Sequence, residues 1–180
     1  MNKESITYFK KPGPLNTSAV MKLIKEAALE LNPEAVIVTS TSGKTGLEAA
    51  RILNGTGTKL IVVPFQKHIA DKHNWHLNTD LKEKCLKAGA LFLPDEPHCL
   101  LLDDDRKDLV RGWYSMGQGF KVALQASSMC VDTRLIPEGA TVISSGGTGS
   151  GADTAVLIKA FGSKNAHKNR VIKIITMVTK

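Results

Sequence analysis

Two short runs of apolar residues constrain the fold of this chain more than any other feature. Ala35 to Val38 reads AVIV, and Lys59 to Val63 reads KLIVV. Short runs without alternation are typical of central strands that helices cover on both faces of a parallel sheet. Ser18 to Leu31 and Thr45 to Leu53 have the apolar spacing of helices. The order predicts a βαβ unit with parallel strands, preceded by one helix.

The rest of the chain continues this alternation of helices and strands. With 180 residues, of which 42% are hydrophobic, one α/β domain over residues 1–180 can bury a sizeable core. We predict a mostly parallel sheet whose last two strands pair antiparallel at one edge. The further predicted helices are Leu77 to Ala88 and Gln118 to Ser128, and the further strands are Ala90 to Leu93, Thr141 to Ser144, Ala155 to Ile158 and Val171 to Val178.

Composition indicates a cytoplasmic protein and argues against a nucleic-acid partner. No apolar run approaches the ~20 residues that span a bilayer, and MNKESITYFKKPGP lacks the apolar stretch of a secretory signal. The cysteines Cys85, Cys99 and Cys130 are odd in number and widely spaced, which favours reduced thiols. The net charge of +7 is scattered and aromatic residues make up only 5%, so we expect no nucleic-acid partner.

Two polar loops carry the candidate chemistry, and each follows an apolar strand. Ligands of open α/β sheets bind at the carboxyl ends of the strands, where glycines, free N–H groups and a helix dipole favour an anion. Phosphate is the anion that would also use the hydroxyl groups and Lys44. The candidate phosphate-binding residues are Thr39, Ser40, Thr41, Ser42, Gly43, Lys44 and Thr45 in the first loop, and Gly146, Gly147, Thr148, Gly149, Gly151, Asp153 and Thr154 in the second loop. His68 and Gln118 are possible ligand-lining residues.

Other interpretations of these loops stay open. Each could be an ordinary connection in which Ser or Thr caps the next element. Gly43-Lys44-Thr45 also resembles the end of a nucleotide-binding P-loop, but Val38 stands where that motif needs a glycine. The acidic run Leu100 to Asp105 could bind magnesium or could simply begin a helix. A P-loop nucleotide hydrolase is therefore the less favoured alternative.

A group of histidines, His68, His73 and His76, suggests a metal site at first sight. Spacings of five and three residues scatter the rings around more than one helix face, and they match no zinc pattern. We therefore predict no metal and expect a surface or ligand-lining segment. No arrangement of a nucleophile with a base stands out, so the catalytic residues, if there are any, stay unassigned.

The chain resembles a known family through several motifs. AVIVTSTSGKTGLEAARIL, from Ala35 to Leu53, resembles the start of the C-terminal domain of pyruvate kinase, without the catalytic barrel of that enzyme. More closely, the chain is similar to stand-alone proteins with a pyruvate kinase C-terminal-like fold. The shared motifs, spread from Tyr8 to Ala160, are YFKKPGPLNT, VTSTSGKTG, MGQGFKVALQASSMCVDTRLIP and SGGTGSGADTAVLIKA.

The resemblance implies a three-layer sandwich around a mostly parallel sheet with an antiparallel last strand. It also implies a pocket for a phosphorylated ligand, with flavin mononucleotide (FMN) as the leading candidate, so that the chain would be a flavoprotein. The chain departs from the family at Pro64 to His68, where the family has a Thr-His-His segment. Two functions stay open: a binding or regulatory protein, or an enzyme that uses the nucleotide as cofactor or substrate. A homo-oligomer is possible in either case.

Overall fold

A computed structural model describes residues 5–94 and 106–179, apart from the side chain of His68. Within these ranges, strands and helices alternate along most of the chain. The strands are β1 (Thr7–Phe9), β2 (Ala35–Thr39), β3 (Leu60–Val63), β4 (Leu91–Phe92), β5 (Thr141–Gly146), β6 (Thr154–Lys159) and β7 (Arg170–Val178). The α-helices are α1 (Thr17–Leu31), α2 (Lys44–Ile52), α3 (Lys67–His73), α4 (Thr79–Lys87), α5 (Lys107–Tyr114) and α6 (Gln118–Asp132), and short 3₁₀ helices form at Pro14–Asn16 and Ser163–Lys168.

The strands form one mixed sheet in the order β1-β7-β6-β5-β2-β3-β4. Strands β5, β2, β3 and β4 pair parallel, which confirms the predicted βαβ unit. The predicted antiparallel pairing of the last two strands is also confirmed, although β1 lies outside β7 and pairs with it in parallel. Strand β6 pairs antiparallel with both neighbours. The strand that runs against the others is therefore β6 and not the predicted last strand β7. Its connections to β5 and β7 do not cross the sheet, so each of these pairs is antiparallel.

Both faces of the sheet are covered by helices, which explains the unbroken apolar sequence of β2. Val36 and Val38 belong to a core cluster with α1 and α2, whereas Ala35 and Ile37 face α6 on the other side. All four side chains are fully buried. The chain thus forms three layers, as the absence of polar alternation predicts.

None of the helices in the described ranges combines the length and the hydropathy that a membrane crossing requires.

Candidate functional site

The carboxyl ends of β5, β2 and β3 lie side by side, and both candidate loops begin at this edge. In the sheet register, Val38 of β2 stands between Ser145 of β5 and Val62 of β3. The Thr39 hydroxyl donates to the carbonyl oxygen of Ser145 at 3.3 Å. On the other side, the N–H of Ser40 donates to the carbonyl oxygen of Val63 at 2.9 Å. The first loop, residues 39–45, is therefore fixed between its two neighbouring strands.

The first loop leads directly into α2 and leaves its backbone donors unused. The Ser40 hydroxyl accepts a hydrogen bond from the N–H of Gly46 at 3.1 Å, and the Gly43 carbonyl accepts one from Leu47 at 2.9 Å. Among the described residues, no hydrogen bond uses the N–H groups of residues 41–45. These donors stand at the positive end of the α2 dipole, which is the arrangement that favours an anion.

The side chains of the first loop add further donors at the same place. Lys44 is exposed, Thr41 and Ser42 are half-buried, and Thr45 is 8% exposed. None of these side chains makes a hydrogen bond or ion pair within the described part of the chain. Hydroxyl groups, an ammonium group and backbone N–H groups are thus available together.

Gly43 has a structural reason to be glycine. Its φ of 93° lies in the left-handed region, and it is buried beneath α4. A Cβ atom built there would lie 3.0 Å from Leu81 Cβ and 3.2 Å from Leu77 Cδ1. The close approach of an anion is therefore not needed to explain this glycine, and its substitution would disturb the packing of α4.

The second loop is held together by the carboxylate of Asp153. This side chain is 0% exposed. Its Oδ2 atom accepts hydrogen bonds from the N–H groups of Thr148 at 2.9 Å and Gly13 at 3.4 Å, and its Oδ1 atom accepts one from the Thr154 hydroxyl at 2.9 Å. Asp153 therefore fixes the conformation of the loop from inside, with its carboxylate fully buried.

The glycines of the second loop are explained by contacts within the chain. A Cβ on Gly146 would overlap the carbonyl oxygen of Gly119, and one on Gly147 would overlap that of Gly151. A Cβ on Gly151 would overlap Thr17 and Pro14, and the Thr17 hydroxyl also accepts a hydrogen bond from the N–H of Ala152 at 3.1 Å. Gly149 has open space around it. Strand β6 follows this loop, so no helix dipole lies behind it.

Gln118 and His68, the two possible ligand-lining residues, stand at the first turns of different helices. Gln118 opens α6, whose next residue, Gly119, packs against Asp153 and Thr154 of the second loop. The Oε1 atom of Gln118 is buried and has no hydrogen-bond partner in the described part of the chain. His68 lies in α3, just beyond the carboxyl end of β3. The structure thus brings Gln118 to the edge where the candidate loops begin.

The histidine segment forms contacts of other kinds. His73 stacks on Trp75, with ring centroids 4.7 Å apart. His76 Nε2 lies 3.1 Å from Asn74 Oδ1, and its Nδ1 lies 3.8 Å from Asp71 Oδ1. Within the described residues, no three His, Cys, Asp or Glu side chains are placed to hold a metal ion.

The described cysteines belong to the core. Cys85 and Cys130 are free thiols with 0% exposure. Burial raises the pKa of both thiols, which disfavours the reactive thiolate. Cys99 and the acidic run Leu100 to Asp105 lie outside the described residues.

A cluster of exposed rings was not predicted from the sequence. Phe65 and Trp75 pack with their ring centroids 5.1 Å apart, and His73 stacks on the same indole. The exposed fractions of Phe65 and Trp75 are 40% and 46%. We call these three side chains the aromatic platform. The sequence offers no periodic signal for it, because Phe65 and Trp75 stand on either side of the short helix α3 and His73 is its last residue.

A scan of the chain against protein-family models found no match. The similarity to pyruvate kinase C-terminal-like proteins therefore stays a prediction that depends on the motifs quoted above.

Proposed function

We propose that this chain binds a phosphorylated small molecule and that the first loop holds the phosphate. The observation that carries the proposal is the set of N–H groups on residues 41–45, which bond to no described residue and stand at the amino end of α2. A phosphate group can accept several such hydrogen bonds at once, and the helix dipole favours its charge.

The neighbouring side chains support the same ligand chemistry. The Lys44 ammonium is exposed and can neutralise one phosphate charge, while the hydroxyls of Thr41, Ser42 and Thr45 can donate to phosphate oxygens. The loop lies at the carboxyl ends of parallel strands, where open α/β sheets hold their ligands. The second loop, fixed by Asp153, provides a rigid neighbouring wall of the same site.

FMN is the ligand that we propose first, since the resemblance to pyruvate kinase C-terminal-like proteins implies it. The role would be binding, with a sensory or regulatory outcome. Because the phosphate is the part that the first loop recognises, FMN should bind at least tenfold more tightly than riboflavin, a difference of ~1.4 kcal/mol. Titration calorimetry on the flavin-free protein measures both affinities.

A pair of lysine variants makes this test specific to the first loop. Lys44→Ala removes the exposed ammonium at the amino end of α2, and we expect a roughly fivefold loss of FMN affinity, about 1 kcal/mol. Lys22→Ala removes another exposed lysine, from α1, and should leave the affinity unchanged. Equal affinities for FMN and riboflavin, or equal effects of the two variants, would contradict the proposal.

A further inference from the structure

The aromatic platform presents ring surface that the fold leaves open. The planes of His73 and Trp75 are only 23° apart, so the two rings stack, and Phe65 lies against the same indole at a tilt of 39°. Trp75 nevertheless keeps 46% of its residue surface exposed. Exposed aromatic rings that are already ordered by their neighbours are suited to stacking with a planar ligand.

The chain segments on both sides of the platform hydrogen-bond to the first loop. Phe65 stands two residues after Val63, whose carbonyl accepts the hydrogen bond from Ser40. Trp75 stands three residues before Asn78, whose N–H donates to the Ser42 carbonyl at 3.2 Å. Three extended residues span at most about 11 Å between Cα atoms, so the backbone of Trp75 lies near the point where Asn78 contacts the first loop.

We propose that the aromatic platform stacks on a planar heteroaromatic ring that belongs to the same ligand as the phosphate. This inference rests on the proposed function and narrows the ligand class to nucleotide-like molecules, with a ring at one end and a phosphate at the other. The neighbourhood favours such a ligand over a purely apolar partner, because the chain on both sides of the platform hydrogen-bonds to the first loop, which has unused N–H donors and an exposed lysine. Trp75 supplies the main stacking surface, and Phe65 and His73 hold it in place.

Three probes separate the ring from the phosphate. FMN carries both groups, riboflavin carries the ring alone, and ribose 5-phosphate carries the phosphate alone. In Trp75→Ala we expect the affinities for FMN and riboflavin to fall at least tenfold, while the affinity for ribose 5-phosphate stays within twofold of the parent's. Trp75→Phe, which keeps an aromatic ring, should recover most of the loss.

Tryptophan fluorescence provides a direct readout. The chain has two tryptophans, and Trp113, on α5, is half-buried against the core cluster that contains residues of α6. A Trp113→Phe variant therefore leaves Trp75 as the fluorophore, and riboflavin and FMN should quench it to saturation. Ribose 5-phosphate should not. Melting temperatures of all variants check that the fold is kept.

The outcomes distinguish this inference from the proposed function. If Trp75→Ala binds FMN as tightly as the parent, or if FMN binds no better than ribose 5-phosphate, the ring site is wrong and the phosphate site stands. If ribose 5-phosphate fails to bind while FMN and riboflavin bind equally and both need Trp75, the phosphate site is wrong and the ring site stands. A parent protein that binds none of the three probes overturns both.

Discussion

The two polar loops look alike in sequence but differ in how the fold uses them. In the first loop the N–H groups of residues 41–45 make no hydrogen bond to a described residue, and a nine-residue helix follows. In the second loop the N–H groups of Thr148, Ser150, Ala152 and Asp153 are engaged within the chain, and a strand follows. The N–H groups of Gly147, Gly149 and Gly151 bond to no described residue, but no helix begins behind them. Only the first loop therefore combines free donors with a helix dipole.

This difference shows that a glycine-rich composition has more than one physical cause. Gly146, Gly147 and Gly151 are small because another backbone segment or side chain occupies the space where a Cβ would go. A loop held by such contacts forms a rigid wall, whereas a loop whose unused donors stand at the amino end of a helix can recognise an anion. Loops in other α/β proteins can be sorted by the same criterion, by asking which atom each glycine or N–H group contacts.

The largest effect should follow a substitution that breaks the close packing of the second loop. In Gly146→Ala the new Cβ would overlap the Gly119 carbonyl oxygen and lie 2.9 Å from the Ala123 nitrogen, both backbone atoms of α6. We expect a loss of about 3 kcal/mol or more in the free energy of unfolding, measured by urea denaturation. Gly149→Ala is the control, since its surroundings are open and its φ of 81° costs only about 1 kcal/mol. Equal losses in the two variants would contradict the packing explanation.

The next effect tests the internal role of Asp153. In Asp153→Asn, either an amide NH₂ group replaces the oxygen that accepts the two backbone N–H bonds, or a neutral amide oxygen accepts them more weakly. We therefore expect the free energy of unfolding to fall by about 2 kcal/mol. FMN affinity should stay within twofold of the parent's. Asp80→Asn, at an exposed position of α4, should change stability by no more than about 0.5 kcal/mol. If Asp153→Asn abolished FMN binding at unchanged stability, Asp153 would face the ligand after all.

A smaller effect separates two serines of the first loop. The Ser40 hydroxyl accepts a hydrogen bond from the N–H of Gly46, so Ser40→Ala should cost about 1 kcal/mol of stability with little change in affinity. The Ser42 hydroxyl bonds to no described residue, so Ser42→Ala should change stability by less than about 0.5 kcal/mol and lower FMN affinity instead. Thermal unfolding and calorimetry on both variants measure this crossed pattern. The reverse assignment would mean that Ser40, not Ser42, contacts the ligand.

The sequence predicts the central sheet well because its signals are local. The apolar runs of β2 and β3 and the stripe of α1 are readable within a few residues. Helices α3 and α5 were not predicted: α3 has only seven residues with few apolar side chains, and α5 has only eight residues, although its apolar residues have helical spacing. Such short helices depend on tertiary packing more than on their own pattern.

The candidate site is predictable only in part, for the same reason. The first loop could be located because strand, glycine and helix follow one another along the chain. The conformation of the second loop depends on two distant hydrogen bonds. Gly13 donates to Asp153 over a separation of 140 residues, and Ala152 donates to Thr17 over a separation of 135 residues. No local pattern reports such contacts. The aromatic platform likewise depends on how the chain on either side of α3 folds back on itself.

The most direct test of the contrast between the loops is a titration followed by amide chemical shifts. On a ¹⁵N-labelled sample, we expect FMN to shift the amide resonances of residues 41–45 most strongly, because those N–H groups would donate to the phosphate. The amides of Thr148, Ala152 and Asp153 should move little, since they keep their bonds within the chain. Ribose 5-phosphate should reproduce the shifts in the first loop. Shifts concentrated in residues 147–153, with residues 41–45 unmoved, would contradict the assignment of the phosphate to the first loop.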